Sequence, residues 1–337
     1  EPLGQSQIMN YLRGLSKDYS IKIISYEKYK DLNNKVAMAR TIADCKTNGI
    51  SWQPQLFKPH VRNISSALNI FKMILIVWKE VHNKDISLIH ARSYVPAIIA
   101  LIINKLTKIP FIFDMRALWP EELINSGRIS RGTFMHRLIL NAERACLKKS
   151  STVISLTNAG TDHLKSIYPN EMKTQNIVVI PTCADLERFS PSKNKTPNKI
   201  VHGCTGTILS SWFLINWLAN WIHFSAFRDP NSIFEIVTQD DPITIRSMID
   251  PTKKLSERLK IYSETYENMP NVLKGHDLSI MFFSQGLSKL GSSPTRMAEA
   301  LGTGIPVIVN EGVGDVANII KKNNVGVVVE GEGKIHM

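Results

Sequence analysis

The chain has 337 residues, of which 43% are hydrophobic and 21% charged, a composition that excludes a disordered chain and a coiled coil. Its length predicts about two domains, and its longest apolar runs are far shorter than the roughly 20 residues that span a bilayer. Nearly all of the net charge of +12 lies in residues 1–190, which hold 26 Lys and Arg against 15 Asp and Glu, so we expect this half to face nucleic acid, anionic lipid or a phosphorylated substrate.

Short apolar runs alternate with longer amphipathic runs in the first half of the chain. Helices are predicted at Ser6–Lys17, Ser65–Asn83, 94–107, near 132–149 and near 158–167. Strands are predicted at Tyr19–Tyr26, Ile86–His90, Phe111–Asp114, Thr152–Ser155 and Ile177–Ile180. Strands and helices in this order predict a parallel sheet with crossover helices.

A stretch rich in Pro, Ser, Asn and Lys at 191–198 predicts a linker, after which the alternation restarts. Strands are predicted at Lys199–Cys204, Phe234–Thr238, Leu259–Tyr262, Leu278–Phe283, Pro306–Asn310 and Gly326–Val329. Helices are predicted at 211–227, 242–249, 265–275, Pro294–Thr303 and 314–322. The pattern predicts an α/β protein of two doubly wound Rossmann-like domains, 1–190 and 199–337, whose strand ends face a central cleft.

The segment Ser288–Val307 carries the clearest candidate site. A loop rich in Gly and Ser enters a helix at Pro294, where free N–H groups and the helix dipole suit a phosphate. Lys289 and Arg296 could add charge-assisted contacts, and the Glu299 carboxylate could accept two hydroxyl hydrogen bonds, as from a ribose. The alternative is an ordinary capped helix with Glu299 on a solvated face.

This segment resembles the C-terminal-domain signature of retaining GT-B glycosyltransferases of family 4, and most closely a bacterial polysaccharide-assembly subgroup. The resemblance extends over nearly the whole chain, through Gly4–Gln7, Leu88–Tyr94, Phe111–Glu121 and Gly312–Asp315. It implies an acceptor-binding domain at 1–190, a nucleotide-sugar-binding domain at 199–337, and a metal-independent hexosyltransferase without a cofactor. The donor would be a UDP- or GDP-sugar, and the acceptor a glycan or a lipid-diphosphate-linked glycan. Because the family's first strand and closing helices are missing, we expect the natural protein to be longer.

The resemblance also implies the donor-binding residues. Glu299 would bind the ribose, and the diphosphate and sugar would lie beside Ser292, Ser293, Pro294, Thr295, Gly206 and Thr207. A Glu that usually touches the donor sugar is replaced here by Gly291. The basic pair that usually follows the first strand of this domain is absent from Thr207–Trp212, so Lys289 and Arg296 are the predicted diphosphate partners.

Asp114, Arg116 and Arg92 are the predicted catalytic residues on the acceptor side. Many relatives carry a His where this chain has Arg116, and an Arg cannot act as a general base. It could stabilise the departing phosphate or hold an anionic acceptor, paired with Asp114; the alternative is a structural Asp114–Arg116 or Arg92–Asp114 ion pair. The family's retention of configuration implies front-side attack, in which the leaving phosphate takes the acceptor proton and catalysis rests on positioning and electrostatics.

Several other residues are predicted to be structural. Adjacent carboxylates at Asp240 and Asp241 favour the start of a solvated helix over a metal site. Three histidines without ligand spacing and three tryptophans at helical spacing are expected to pack in the core or at strand ends: His90, His202, His276, Trp212, Trp217 and Trp221. The cysteines show neither CxxC nor metal-ligand spacing, which favours free thiols in a reducing cytoplasm.

The basic amphipathic helix near 65–84 either packs on the core with a basic solvent face or docks on an anionic leaflet. We therefore predict a cytoplasmic protein, peripheral to the inner membrane if the helix docks. Two other functions stay open: a sugar-nucleotide 2-epimerase of the same fold, and a basic nucleic-acid-binding protein. The second lacks the interleaved aromatic residues that a stacking surface needs.

Overall fold

The computed structural model describes residues 5–57, 64–83, 85–191 and 199–330. After a π-helical turn at Gln5–Met9, the helices α1 to α15 are Asn10–Leu15, Tyr29–Asn33, Lys35–Thr47, Ile64–Asn83, Tyr94–Thr107, Trp119–Asn125, Phe134–Lys149, Asn158–Ile167, Pro169–Met172, Ile215–Arg228, Pro242–Ile249, Met269–Lys274, Leu287–Leu290, Thr295–Gly302 and Val316–Asn323. The strands β1 to β12 are Lys22–Glu27, Ser51–Leu56, Ile89–Arg92, Phe111–Asp114, Thr152–Ser155, Ile177–Val179, Val201–Thr205, Ile233–Val237, Leu259–Tyr262, Leu278–Met281, Val307–Asn310 and Gly326–Val329.

The chain divides into two compact units. Unit 1 comprises Glu1–Asp114 and Ala142–Val153, and unit 2 comprises Met115–Asn141 and Ile154–Met337. The predicted linker lies outside the described residues apart from Pro191, and the predicted domain boundaries stay a prediction. None of the described helices is both long and apolar enough to cross a membrane.

A six-stranded sheet forms the centre of unit 2, in the order β9-β8-β7-β10-β11-β12. Every neighbouring pair in it is parallel. Its inner strands are buried on both faces, as in parallel sheets with helices on each side; Cys204, Ile236, Ile280 and Val309 are each at most 1% exposed. The strand order is that of a doubly wound nucleotide-binding sheet, whose order reverses here between β7 and β10.

Unit 1 contains the parallel pair β1–β2 and the strands β3 and β4, which are neighbours in a sheet of the order β3-β4-β5-β6. Strand β3 pairs with β4 in a register that sets Arg92 opposite Asp114. The structure starts β3 at Ile89, so the predicted strand at Ile86–His90 is three residues early at its start and two short at its end.

Helix α4 packs one face on the core of unit 1, where Met73 and Val81 are buried. Its other face carries four large apolar side chains in the open: Leu68, Phe71, Leu75 and Trp78 are 63%, 59%, 48% and 44% exposed. The predicted core face is therefore present. The exposed side chains of Leu68, Phe71, Leu75 and Trp78 form a separate apolar stripe that does not pack on the core.

Candidate functional site

Two loops meet where the strand order of the six-stranded sheet reverses. The first follows β7 and runs from Gly206 to Leu214, and the second follows β10, contains the short helix α13 and ends at α14. They are joined by backbone hydrogen bonds, with Leu214 N–H donating to Phe282 C=O at 2.9 Å and Ser284 N–H to Trp212 C=O at 3.0 Å. Doubly wound sheets bind ligands at the carboxyl ends of their strands where the strand order reverses, which is this position. Every predicted donor-binding residue lies on one of the two loops or on α14.

Glu299 lies on α14 among cationic and aromatic groups. Burial raises the pKa of Glu299 to about 7, and the positive charges of Arg296 and Arg188 oppose that shift. Arg188 lies over the ring of Tyr266, 4.4 Å from its centroid. No described residue hydrogen-bonds to the Glu299 carboxylate. The carboxylate is therefore half-buried and poised to accept hydrogen bonds from a ligand, which argues against the solvated-face alternative.

Arg296 ties α14 to the loop after β7. Its Nη2 atom donates to the Thr207 carbonyl at 3.5 Å, and its guanidinium lies 5.3 Å from the Phe283 ring centroid. Gly206 has φ +90°, a conformation that favours glycine, and a Cβ there would lie 2.7 Å from that Nη2 and push the guanidinium aside. The Arg296 Nη1 atom is buried without a hydrogen-bond partner among the described residues. A donor for an anion thus lies next to Glu299.

The serine-rich turn leads into α14. Pro294 is extended and is the N-cap, so the helix begins at Thr295, one residue later than predicted. No side chain caps this end, and the Ser293 hydroxyl accepts from Thr182 N–H at 3.1 Å. Ser292 and Ser293 also border a cavity of about 540 Å³, which Glu299 does not line.

Lys289 lies on α13 with its ammonium inside the protein. The residue is 1% exposed, its Nζ atom has no hydrogen-bond partner among the described residues, and it sits 2.6 Å from the centroid of the Trp212 ring. Burial lowers the pKa of Lys289 to about 8, against the opposing charge of Glu122. Trp212 is 40% exposed and precedes α10, so the prediction that it packs in a helix at 211–227 is wrong.

Gly291 is closely packed. A Cβ at this position would lie 3.1 Å from the backbone nitrogen and 3.2 Å from Cγ of Leu118, the residue before α6. A Glu at position 291, as in the family pattern, would therefore displace the start of α6.

Asp240 and Asp241 act on the backbone. Asp240 accepts from Ile208 N–H at 2.6 Å and Leu209 N–H at 2.8 Å, which shapes the loop after β7. Asp241 caps α11 by accepting from Thr244 N–H at 2.9 Å, as predicted for the start of a helix. Among the described residues no group of His, Cys, Asp and Glu could hold a metal ion.

The predicted catalytic residues of unit 1 lie together at the ends of β3 and β4. Asp114 is 3% exposed, with its Oδ2 atom 3.6 Å from Arg92 Nη1 and 3.3 Å from His90 Nε2. The Arg92–Asp114 ion pair foreseen as an alternative is therefore present. His90, predicted to be structural, is a third member of the cluster. Its position two residues before Arg92 puts both side chains on one face of the strand.

Both strand ends carry a non-glycine residue in a left-handed conformation. Ser93 follows β3 with φ +79° and ψ 176°, a region that glycine favours. Arg116 lies two residues beyond Asp114 with φ +61°, inside a tight turn in which Ala117 N–H donates to Met115 C=O at 2.7 Å. Arg116 belongs to unit 2. Such strained backbone concentrates at functional sites.

The other predicted structural side chains of unit 2 do pack in the interior. Trp217 and Trp221 lie against Phe282, with ring centroids 5.7 and 6.4 Å apart. His202 accepts from Trp221 Nε1 at 3.1 Å, and burial lowers its pKa to about 4. His276 is 1% exposed.

Comparison with known proteins finds a matching family. The pattern of the family described as Glycosyltransferase Family 4 matches residues 6–188, more than half of the chain. No curated protein matches the chain.

Solved structures show the same GT-B fold at low sequence identity. Sucrose-phosphate synthase from Thermosynechococcus elongatus matches with a TM-score of 0.60 and 14% identity, over 93% of this chain and 87% of that chain. A glycosyltransferase from Rickettsia africae matches with a TM-score of 0.60 and 15% identity, over 94% and 86%. WaaG, a glycosyltransferase involved in lipopolysaccharide biosynthesis, matches with a TM-score of 0.55 and 16% identity, over 91% and 86%. These matches show the fold, and the family match favours a glycosyltransferase over the epimerase and nucleic-acid alternatives.

Proposed function

This chain belongs to glycosyltransferase family 4, and from that premise we propose that it is a retaining hexosyltransferase. It moves a sugar from a UDP- or GDP-sugar to a glycan or lipid-diphosphate-linked acceptor in cell-surface polysaccharide assembly, without a metal ion or cofactor. The observation that carries the proposal is the half-buried Glu299 carboxylate without a hydrogen-bond partner among the described residues, beside Arg296 at the reversal point of a doubly wound sheet.

The donor nucleotide binds across the two loops. The two ribose hydroxyls donate to Glu299, which becomes ionised in the complex because hydrogen bonds to a carboxylate favour its charged form. The diphosphate lies against the first N–H groups of α14, near Ser292, Ser293, Pro294 and Thr295, where the helix dipole favours negative charge. Arg296 and Lys289 neutralise it, and the glycine at 206 lets the backbone of Gly206 and Thr207 approach closely.

Transfer proceeds by front-side attack. The bond between the anomeric carbon and the phosphate oxygen breaks, the acceptor oxygen bonds to the same face of that carbon, and the leaving phosphate oxygen takes the acceptor's hydroxyl proton. Arg116 stabilises the charge that develops on the departing phosphate, a role for which a fixed guanidinium is suited. Arg92 and Asp114, ion-paired at 3.6 Å, position the acceptor.

The enzyme acts in the cytoplasm, at the inner leaflet, where a lipid-linked acceptor would lie. Support comes from the apolar stripe on α4, next to which Lys72 and Lys79 are exposed. Apolar side chains flanked by lysines are the pattern of a helix that lies in the headgroup region of an anionic leaflet.

Release of UDP or GDP from a panel of nucleotide sugars tests the proposed reaction, with the anomer of the freed or transferred sugar identified by proton NMR. We expect slow release from one nucleotide class with the configuration retained, and a loss of at least about 100-fold in Arg116→Ala, which removes a donor to developing charge. An inverted product would contradict retention, and no release with any donor and crude glycolipid acceptor would contradict transfer.

A further inference from the structure

Glu122 and Lys289 lie close enough in unit 2 for each charge to influence the pKa of the other, and the described contacts include no ion pair between them. Lys289 presents three N–H donors that no described residue accepts. Glu122, on α6, is half-buried and makes no hydrogen bond or ion pair through its carboxylate to any described residue. Burial raises the pKa of Glu122, and Lys289 opposes that shift. Two opposite charges that are removed from water without contacting each other cost folding free energy, unless a third group interacts with both.

The close packing at Gly291 explains why these groups meet. Gly291 follows α13, which carries Lys289, and touches Leu118 at the start of α6, which carries Glu122. Glu122 lies one helical turn after Leu118 and therefore on the same side of α6, the side on which Gly291 packs.

The two loops of the proposed nucleotide site also carry and cover Lys289. The loop after β7 touches Arg296 through Thr207 and covers Lys289 with Trp212. The segment after β10 carries Lys289 at one end and leads to Glu299 at the other. A nucleotide sugar bound through its ribose at Glu299 could extend along this segment toward Lys289 and Glu122.

We propose that Glu122 recognises the sugar of the donor by accepting a hydroxyl hydrogen bond, while Lys289 spans that hydroxyl and the phosphate next to it. This inference rests on the proposed function and deepens it. A sugar hydroxyl both donates and accepts, so it satisfies a carboxylate and an ammonium at once. The exposed part of the Trp212 ring offers an apolar surface for the sugar's C–H groups. Glu122 is thus a specificity residue that sequence reasoning did not identify.

The affinity difference between a nucleotide and its sugar conjugate tests this role. Calorimetric titration of UDP, GDP, UDP-glucose, UDP-N-acetylglucosamine and GDP-mannose is carried out on the parent protein, Glu122→Gln and Lys289→Met. In Glu122→Gln we expect the nucleotide sugar to bind about tenfold more weakly and the free nucleotide within twofold of the parent, because only the sugar touches Glu122. Lys289→Met should weaken both ligands.

Glu121→Gln is the matched control, since Glu121 is the neighbouring carboxylate and pairs with Arg131 at 2.6 Å. It should bind both ligands as the parent does. Equal weakening of nucleotide and nucleotide sugar in Glu122→Gln, or no change in either, overturns the inference and leaves the proposed function standing. Failure of the parent protein to bind any of the five ligands overturns both.

Discussion

At the scale of single residues, the most informative group is the Glu299 carboxyl. Its pKa is raised to about 7 by burial, although Arg296 and Arg188 are near. A carboxyl of this kind is protonated in the ligand-free protein at pH 6 and largely ionised at pH 8. The burial that disfavours the charged form also strengthens hydrogen bonds between this carboxylate and a ligand, because water competes less for them.

Removing the charge at Glu299 should change how stability depends on pH. Because its folded pKa of about 7 lies above the unfolded value of about 4.3, this carboxyl contributes stability that is complete below pH 4 and is lost as pH rises through 7. The free energy of unfolding of ligand-free Glu299→Gln, measured relative to the parent, should therefore be higher at pH 8 than at pH 5, by at most about 3 kcal/mol. Urea unfolding at both pH values measures this. The exposed Glu311, paired with Lys321 at 2.6 Å, provides the control Glu311→Gln. A pH-independent difference for Glu299→Gln would contradict the raised pKa.

The sequence could predict that candidate residues of one segment lie close together, but not that the fold brings residues from distant positions together. Glu299 and Arg296 lie in one helical segment, so their proximity was predictable. Glu122 and Lys289 are 167 positions apart in the printed sequence, and only the packing of Gly291 on Leu118 brings their helices together. The position of His90 beside Arg92 could have been predicted, because side chains two residues apart in a strand lie on the same face.

At the scale of elements, apolar periodicity predicted the strands of unit 2 to within about two residues. It missed β2 and α3 in unit 1 for physical reasons. Strand β2 contains Pro54 and lies half-exposed beside β1, and α3 has a single buried residue, Cys45. Neither element has the strong apolar face that a periodicity search detects. Helix α13 was missed because it is four residues long.

The exposed stripe on α4 should govern binding to anionic membranes. Phe71→Ser combined with Leu75→Ser removes two apolar side chains that are 59% and 48% exposed, so the fold should persist. We expect at least about tenfold weaker co-sedimentation with vesicles containing phosphatidylglycerol, because each lost side chain removes about 1 kcal/mol or more of burial in the headgroup region. Phe227→Ser, at an 84% exposed position on α10, is the control. Unchanged co-sedimentation of the double variant would contradict the inner-leaflet assignment.

At the scale of the whole molecule, the sheet order of unit 2 explains why residues from two loops and one helix converge. The order reverses between β7 and β10, so the loops that follow these two neighbouring strands lie side by side at one edge of the sheet. Alternation of strands and helices predicts such a sheet but not its strand order, which depends on crossovers between distant segments. The predicted site residues of the second half all lie on these loops or on α14. The fold was therefore predictable as a class, and the position of the site followed from the strand order.

Thermal stabilisation by UDP, GDP and their sugars, measured on the parent protein and Glu299→Ala, tests the central claim most directly. A ligand at about a hundred times its dissociation constant should stabilise the parent by about 2.7 kcal/mol. We expect one nucleotide class to raise the melting temperature of the parent and of the control Glu311→Ala, and to have little effect on Glu299→Ala. Equal stabilisation of the parent and Glu299→Ala would show that the nucleotide binds elsewhere, and no stabilisation by either class would contradict a nucleotide-sugar site in unit 2.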